Sequence, residues 1–218
     1  MTLKPEDRDL AAVASLAEPT RRRVYDLVAT ARTGLTRDDV AEACGIPRTT
    51  AAFHLDRLTD DGLLQARFER RTGRTGPGAG RPAKVYERSP LPRSVSIPAT
   101  RYDLAGDLLA AAVEESEQTG EPVRTCLART ARAAGLAHSR NDVMAALAAA
   151  GYEPYHDGED VALANCPFHT LANRHTQLVC EMNLHYVRGL LDGADPRPAE
   201  ARLAPLAQHC CVRLEPTS

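Results

Sequence analysis

The sequence has no run of 18 or more apolar residues, so it contains no candidate for a membrane-spanning helix. Its first ten residues, MTLKPEDRDL, are polar and acidic and do not resemble a secretory signal peptide. The chain also lacks a phosphate-binding glycine loop, an H-E-x-x-H motif and any ordered set of nucleophile, base and orienting residue. These absences favour a cytoplasmic protein that is not an enzyme.

The composition is that of a soluble chain, with 218 residues of which 43% are hydrophobic and 26% are charged. The net charge of −2 conceals an asymmetry between the two halves. Residues 1–90 hold 16 Lys and Arg against 13 Asp and Glu, whereas residues 91–218 hold 11 against 16. The excess of positive charge in the first half suits a polyanionic partner such as DNA.

Residues 34–64 predict two short helices joined by a tight turn. Thr36 is placed to cap the first helix, Gly45 to make the turn, and Pro47 to open the second helix. Two helices in this arrangement form a helix-turn-helix, whose second helix enters the major groove of DNA. The DNA-contacting candidates on this second helix are Arg48, Thr49, Thr50, Phe53, His54 and Arg57. Phe53 could instead be a core aromatic, and His54 could instead pack between helices.

After Leu64 the apolar residues alternate, and the segment AKVYERS supplies a second strand. The loop between the strands, RRTGRTGPGAGRPAK, is rich in glycine and arginine, so its backbone could approach phosphates and its arginines could enter a minor groove. The candidates here are Arg70, Arg71, Arg74, Arg81 and Lys84. The alternative is a solvated hairpin tip without function. A winged helix-turn-helix DNA-binding domain is therefore predicted over residues 1–90.

Residues 91–120 are predicted to be a linker and a dimerisation helix. SPLPRSVSIPAT contains three prolines, and RYDLAGDLLAAAVEES follows with a wide apolar stripe at helical spacing. A second copy of the chain would cover this stripe, and a two-fold dimer would suit a palindromic operator in double-stranded DNA. The stripe thus predicts a homodimer.

Residues 121–218 predict a small α+β domain that senses a metal or a ligand, so the whole chain is expected to be mainly α with small β. The last 53 residues hold four of the six cysteines and four of the seven histidines. The candidate metal ligands among them are Cys166, His169, Cys180, Cys210 and Cys211.

These candidate ligands come from separate elements that could converge on one ion. Cys166 and His169 have C-x2-H spacing at the start of a helix, Cys180 lies on the next helix, and Cys210 and Cys211 are expected in the last strand, CCVRLEP. Alternation along that strand places Cys210 inward and Cys211 outward, so either could be the ligand. Inert buried thiols, or haem ligation through Cys166 and Pro167, are the alternatives to a Zn or Fe–S site.

The amino-terminal segments ASLAEPTRRRVYDLV, TRDDVAEACGIPRTTAAFHLDRLTDDGLL and GRPAKVY resemble the ArsR-like winged-helix repressors, and specifically their longer relatives with a carboxy-terminal sensing domain. In such proteins the recognition helix often has a polar residue where this chain has Ala52. The resemblance implies a DNA-binding transcriptional repressor and does not extend to its base preferences.

The carboxy-terminal segments ALANCPFHTLANRHTQLVCEMNLHYVRGLL and CCVRL resemble the sensing domain of those longer regulators, which include iron–sulfur-dependent repressors. The resemblance implies cluster ligation by Cys166, Cys180 and either Cys210 or Cys211. Those repressors have further cysteines close to the first, where this chain has His169. Three thiolates and an imidazole would suit Zn²⁺ as well as an Fe–S cluster. A regulator with a structural Zn site and an organic ligand in its dimer cavity is the alternative.

Overall fold

The computed structural model describes residues 5–69, 82–195, 197, 199–204 and 209–217. The chain divides into two compact units, Met1–Val95 and Ser96–Ser218. The predicted boundary at residue 90 therefore lies close to the division between the units. In the described part of the chain, no helix has both the length and the apolar character needed to cross a bilayer.

The first unit contains four helices and three short strands in its described residues. They are α1 (Pro5–Ser15), α2 (Pro19–Thr30), β1 (Leu35–Thr36), α3 (Arg37–Cys44), α4 (Arg48–Asp60), β2 (Leu64–Glu69) and β3 (Ala83–Arg88). The strands form an antiparallel sheet in the order β1-β3-β2. Helices α3 and α4 with the β2–β3 hairpin give the predicted winged helix-turn-helix arrangement.

Local sequence signals define the turn between α3 and α4. The Thr36 hydroxyl accepts a hydrogen bond from the Asp39 backbone N–H, and the Asp39 carboxylate accepts one from the Thr36 backbone N–H, which forms a capping box. Gly45 ends α3 with a φ of 63°, a left-handed conformation that glycine adopts without strain. Both residues therefore have the roles that the sequence predicts.

The core of the first unit lies between α2, α3, α4 and the sheet. Val24 and Val28 of α2 and Val40 of α3 are buried against Leu55 and Leu58 of α4. The burial of these five side chains fixes which face of α4 points away from the core.

The second unit contains five helices and four strands in its described residues. They are α5 (Tyr102–Thr119), α6 (Val123–Ala137), α7 (Val143–Ala149), β4 (Pro154–Asp157), β5 (Asp160–Leu163), α8 (His169–Arg174), α9 (Thr176–Asp192), β6 (Ala199–Leu203) and β7 (Val212–Pro216). The strands form an antiparallel sheet in the order β4-β5-β7-β6. Strands β4 and β5 form a hairpin in which Asp157 pairs with Asp160 and the turn consists of Gly158 and Glu159. Strand β6 was not predicted, and the last strand begins at Val212, one residue after Cys211.

Helices α6 and α9 pack closely because each has a glycine at their crossing. A Cβ atom at Gly135 would collide with the Tyr186 carbonyl oxygen, and one at Gly189 would collide with the Arg132 carbonyl oxygen. The two backbones are therefore in direct contact in the centre of the unit, which fixes the position of α9 and of Cys180 on it.

Helix α5 belongs to the core of the second unit. Its apolar residues Leu104, Ala105, Leu108 and Ala112 are buried in the same cluster as residues of α6 and α9. The predicted reason for dimerisation, an apolar stripe without a partner inside the domain, is therefore wrong for this part of the helix. The remaining exposed apolar side chains of α5 include Tyr102 and Val113.

Candidate functional site

Helix α4 presents a polar and aromatic face to solvent. Ala51, Leu55 and Leu58 are fully buried, whereas the Phe53 side chain is 62% exposed. Arg48, Thr49 and Arg57 are also exposed, and Thr50 is half-buried. The predicted orientation of this helix is confirmed for these residues, and Phe53 is not a core aromatic.

His54 departs from the predicted DNA-contacting set because it is buried. The residue is 6% exposed, and its Nδ1 lies 3.6 Å from Oε2 of Glu18, the residue that caps α2. Burial lowers the pKa of His54, since the charged imidazolium would lose hydration there. Residue 54 lies three after Ala51 and four before Leu58, so it occupies the apolar face, and this spacing is the signal that could have identified it.

Acidic neighbours pair with three of the predicted DNA-binding cations. Arg48 Nε lies 2.6 Å from Asp38 Oδ1, and Arg57 Nε lies 3.0 Å from Asp61 Oδ2. The third pair joins Lys84 of the hairpin to Asp56 of α4 at 2.7 Å. These pairs reduce the positive field of the face, although exposed ion pairs of this kind exchange readily for other partners.

A groove of about 400 Å³ separates the start of α4 from the hairpin. It is lined by Thr36, Arg37, Asp38, Arg48, Phe68, Pro82, Ala83, Lys84 and Tyr86. Arg37 and the 71% exposed Phe68 were not predicted as part of this face. The other predicted wing residues, Arg70, Arg71, Arg74 and Arg81, lie outside the described residues.

The second unit brings four cysteines together from three places in the chain. Cys166 follows β5, Cys180 lies on α9, and Cys210 and Cys211 immediately precede β7. Hydrogen bonding relates Cys166 to Cys210, Cys210 to Cys211, and Cys211 to Cys180, and Cys166 and Cys180 also interact electrostatically. Cys210 and Cys211 are therefore both members of the group, which we call the thiol cluster.

Hydrogen bonds concentrate on the sulfur of Cys210. The Cys166 thiol, the Cys211 thiol, the backbone N–H of Val212 and the side-chain amide of Asn183 lower the pKa of Cys210. Hydrogen bonding to Cys210 raises the pKa of Cys166 and of Cys211, and burial raises both further. A single thiolate at Cys210, with its neighbours protonated, is the charge state that these contacts favour.

Asn183 connects the thiol cluster to the core through a buried polar pair. Its Nδ2 donates to Cys210 Sγ at 3.2 Å, and its Oδ1 accepts a hydrogen bond of 2.5 Å from the Tyr152 hydroxyl. The Asn183 side chain is fully buried, so both hydrogen bonds fix the direction of its amide. Asn183 was not predicted as a functional residue, because an asparagine inside a helix gives no signal without its neighbours.

A cavity of about 480 Å³ opens beside the thiol cluster. It is lined by Pro98, Ala164, Asn165, Cys166, His169, Ala172, Asn173, Thr176, Cys180, His209 and Cys211. His169, predicted as the fourth ligand, lies on this wall with an exposed side chain, while the fourth member of the thiol cluster is a cysteine.

The described residues contain no group of three or more His, Cys, Asp or Glu side chains already arranged around a metal position. The thiols instead contact one another. Their donor set nevertheless fits a thiophilic metal, since four cysteines are the ligands of structural Zn sites and of Fe–S clusters. Cys44 and Cys126 are buried and belong to the separate cores of the first and second units, respectively.

Comparison with known proteins bears on the first unit. Residues 16–65 match the family model of a helix-turn-helix domain. No curated protein matches the chain. Among solved structures, one similar chain is the homodimeric winged helix-turn-helix DNA-binding domain, fragment 1–100, of Mb0332 from Mycobacterium bovis, described as a possible ArsR-family transcriptional regulator.

The likeness to that domain is low, with 21% identity and a TM-score of 0.29 over 56% of this chain and 97% of the other. A TM-score of this size supports no conclusion about shared architecture or assembly. The match to the helix-turn-helix family and the geometry of α3 and α4 support the coarser statement that this chain is a DNA-binding transcriptional regulator.

Proposed function

We propose that this chain is a transcriptional repressor that binds double-stranded DNA through its winged helix-turn-helix and responds to a metal, an Fe–S cluster or the redox state through its thiol cluster. The observation that carries the proposal is the convergence of four cysteines: Cys166, Cys180 and Cys211 line one cavity, and Cys210 interacts with Cys166 and Cys211 beside it. Core packing alone does not require four thiols from three elements to meet at one point.

The thiol cluster would hold the metal through its four sulfurs. A Zn²⁺ ion would supply a structural link between the segment before α8, helix α9 and the segment before β7, and an Fe–S cluster would add redox chemistry at the same place. Cys210 would bind as a thiolate, because the Asn183 amide and the Val212 N–H already donate hydrogen bonds to its sulfur.

Elemental analysis and visible absorbance test this part of the proposal. Anaerobically purified protein should contain either stoichiometric zinc without colour or iron and sulfide with visible absorbance. Cys166→Ser and Cys180→Ser should each lose the metal, because each removes one of the thiolate ligands. Cys44→Ser in the first unit and Cys126→Ser on α6, neither of which is a member of the thiol cluster, should retain it. Full metal occupancy in Cys166→Ser would show that these thiols are core packing only.

DNA binding would depend on the outward face of α4 and on the basic wing. Replacing Arg74 and Arg81 by Ala should weaken binding to every duplex and reduce the salt dependence by about one unit for each lost phosphate contact. Replacing Arg48, Thr49 or Phe53 should instead change sequence preference, because base edges are read from this helix. An unchanged salt slope in the double variant would remove the wing from the interface.

We further propose a homodimer on a palindromic operator, since a single helix-turn-helix covers only one half-site. Exposed apolar side chains of α5, including Tyr102 and Val113, are available for such contacts. Light scattering at micromolar concentration should give twice the chain mass of 23.6 kDa. A monomer that still binds an operator tightly would contradict this assembly.

The cavity beside the thiol cluster favours a second candidate function. Its volume of about 480 Å³ is that of a small-molecule site, and its wall carries the side chains of Asn165, Asn173 and Thr176. A regulator with a structural Zn²⁺ in the thiol cluster would then sense an organic ligand in this cavity. Colourless protein with stoichiometric zinc, whose DNA affinity does not respond to oxidation, would favour this second function.

A further inference from the structure

A second, smaller cavity of the second unit has basic and hydroxyl-bearing side chains on its wall. We propose that this cavity, of about 250 Å³, binds a small oxyanion, meaning a ligand with a phosphoryl or carboxylate group. The proposal concerns side chains outside the thiol cluster and does not depend on whether that cluster binds a metal.

Polar side chains from three parts of the second unit line this cavity, which we call the basic cavity. Arg101 precedes α5, the run His138, Ser139 and Arg140 follows α6, and Tyr186 lies on α9. The other four lining residues are alanines. The described lining therefore has two guanidinium cations, an imidazole and two hydroxyl groups, and none of its members is Asp or Glu.

The two arginines of the basic cavity have little negative charge around them. Arg101 Nε lies 3.4 Å from Asp103 Oδ1, but the Asp103 side chain is 71% exposed, so solvent weakens this pair. Arg140 is exposed and has no ion-pair partner among the described residues. The next carboxylate along the chain, Asp142, caps α7 by accepting a hydrogen bond from the Ala145 N–H. The positive charge of the cavity is therefore available to a ligand.

A histidine–tyrosine pair adds a hydrogen-bond donor to the wall. His138 Nδ1 lies 3.0 Å from the Tyr186 hydroxyl oxygen, and Tyr186 is fully buried. Burial raises the pKa of Tyr186, so its hydroxyl stays protonated at neutral pH. When the hydroxyl donates to Nδ1, the neutral ring has its proton on Nε2, and when Nδ1 donates instead, the hydroxyl proton is not used. Either arrangement leaves one N–H or O–H of the pair free to bind a ligand.

These groups match an oxyanion in both chemistry and size. A guanidinium group forms paired N–H···O hydrogen bonds with carboxylates and phosphates, and these are among the strongest hydrogen bonds in proteins. The donor of the histidine–tyrosine pair and the Ser139 hydroxyl can bind the remaining oxygen atoms of such a ligand. A volume of about 250 Å³ is below the usual range for drug-sized ligands, which is roughly 300–1,000 Å³. The cavity therefore suits phosphate or a small carboxylate.

The basic cavity lies beside the first turn of α5. The Arg101 backbone N–H donates to the Pro167 carbonyl oxygen at 3.1 Å, and Arg101 Cγ lies 3.5 Å from the position that a Cβ atom would take at Gly151. The backbone of Arg101 is therefore held in place while its side chain lines the cavity. A bound oxyanion would join this side chain to the residues that follow α6, and so stabilise the start of α5.

Nuclear magnetic resonance of the full chain with ¹⁵N-labelled histidine tests the proposal. The His138 ring signal, identified by its loss in His138→Gln, is followed while sodium phosphate replaces sodium chloride at constant pH and ionic strength. A parallel titration uses sodium succinate, so that the two arms separate phosphoryl from carboxylate ligands. We expect a saturable shift of the His138 signal with at least one probe, and no shift for His156, which is exposed on β4. Anions bound elsewhere on the chain would not move the His138 signal.

Three variants with the same change of charge show whether the response belongs to the basic cavity. Arg101→Gln and Arg140→Gln should each raise the midpoint of the titration about tenfold, because each loses a charge-assisted hydrogen bond to the anion. Arg124→Gln is the matched control, since Arg124 pairs with Glu181 in the first turn of α6, roughly 20 Å from His138 by the rise of the helix. Its midpoint should equal that of the wild type.

A His138 signal that responds to neither probe beyond the effect of sodium chloride would overturn the proposal. An unchanged midpoint in both Arg101→Gln and Arg140→Gln would do the same. If Arg124→Gln raised the midpoint as much as Arg140→Gln, the response would reflect net charge and the site would be rejected. A response to one probe alone would support the site and assign the chemical group that it binds. No cysteine is changed in these experiments, so each result leaves the proposed metal site untouched.

Discussion

Lys84 Nζ lies 2.7 Å from Asp56 Oδ1, so an acidic side chain of α4 neutralises a cation of the wing strand β3. The Tyr86 hydroxyl donates to the same carboxylate oxygen at 2.9 Å. The hydrogen bond raises the pKa of Lys84 and lowers that of Asp56, so both groups are charged at neutral pH. In a complex with DNA, this pair would therefore withhold the charge of Lys84 from a phosphate.

Replacing Asp56 by Asn should strengthen binding to DNA of any sequence. The variant releases Lys84 to neutralise one further phosphate, so the slope of log K against log salt should become steeper by about one unit. Fluorescence anisotropy on a random-sequence duplex across a salt series measures this slope. Asp60→Asn, the same charge change at the end of the same helix, should leave the slope near that of the wild type. Equal slopes for wild type and Asp56→Asn would exclude Lys84 from the interface.

His54 should make the stability of the first unit depend on pH. Burial lowers the pKa of His54 in the folded state, so the unfolded chain binds the proton more readily. The contribution of neutral His54 to the free energy of unfolding is fully present above the pKa of the unfolded chain, about 6.5. It is lost as the pH falls from there through the lowered pKa of the folded state.

Thermal unfolding of wild type and His54→Gln at several pH values between 5 and 7.5 measures this contribution. The wild type should lose stability more steeply than the variant over that range. His185→Gln serves as the control, because His185 also has a pKa lowered by burial but belongs to the second unit. If the first unit's transition has the same pH dependence in wild type and His54→Gln, the burial of His54 has no energetic consequence.

The close approach of α6 and α9 should make Gly189 intolerant of a larger side chain. A Cβ there would collide with the Arg132 carbonyl oxygen, so Gly189→Ala should destabilise the second unit by about 1–3 kcal/mol or more. Gly106, in the second turn of α5, has no atom within 4 Å of the position that a Cβ atom would take. Gly106→Ala should therefore stabilise by about 0.5–1 kcal/mol through helix propensity. Urea unfolding of both variants gives the comparison, and a neutral Gly189→Ala would contradict the packing.

The sequence predicted the helix-turn-helix closely because its signals are local. Thr36, Gly45 and the apolar spacing of Ala51, Leu55 and Leu58 each act within a few residues. His54 is not part of the exposed face, because it lies on the buried side of α4 even though its side chain is polar.

The thiol cluster could be predicted only in part. The composition of the last 53 residues indicated that Cys166 and Cys180 would meet a cysteine from the carboxy-terminal end. Strand alternation would place only one of Cys210 and Cys211 on the inward face as a ligand. Both residues precede β7, however, so the alternation of side chains along a strand does not apply to them. Both cysteines belong to the thiol cluster, and Asn183 contacts Cys210, because α9 packs against the segment before β7. This packing between distant segments cannot be read from a local sequence pattern.

Asn183 should control the acidity of Cys210. Its Nδ2 donates a hydrogen bond to Cys210 Sγ at 3.2 Å, and this bond is one of the contacts that lower the pKa of the thiol. Asn183→Leu keeps a similar volume but removes the donor, so the pKa of Cys210 should rise, because the thiolate loses more hydrogen-bond stabilisation than the neutral thiol does. The variant also leaves the Tyr152 hydroxyl buried without its acceptor, at a cost of about 1–3 kcal/mol in stability.

The rate of iodoacetamide alkylation at Cys210 in reduced, metal-free protein measures this change, followed by peptide mass spectrometry across a pH series. The midpoint should move to higher pH in Asn183→Leu, and the rate at neutral pH should fall. Tyr152→Phe/Asn183→Leu should retain the raised midpoint while recovering part of the stability, because the orphaned hydroxyl is then absent. Asn173→Leu, which alters the cavity wall at an exposed position, should leave the midpoint unchanged. An identical midpoint in wild type and Asn183→Leu would assign the acidity of Cys210 to its neighbouring thiols and the Val212 N–H alone.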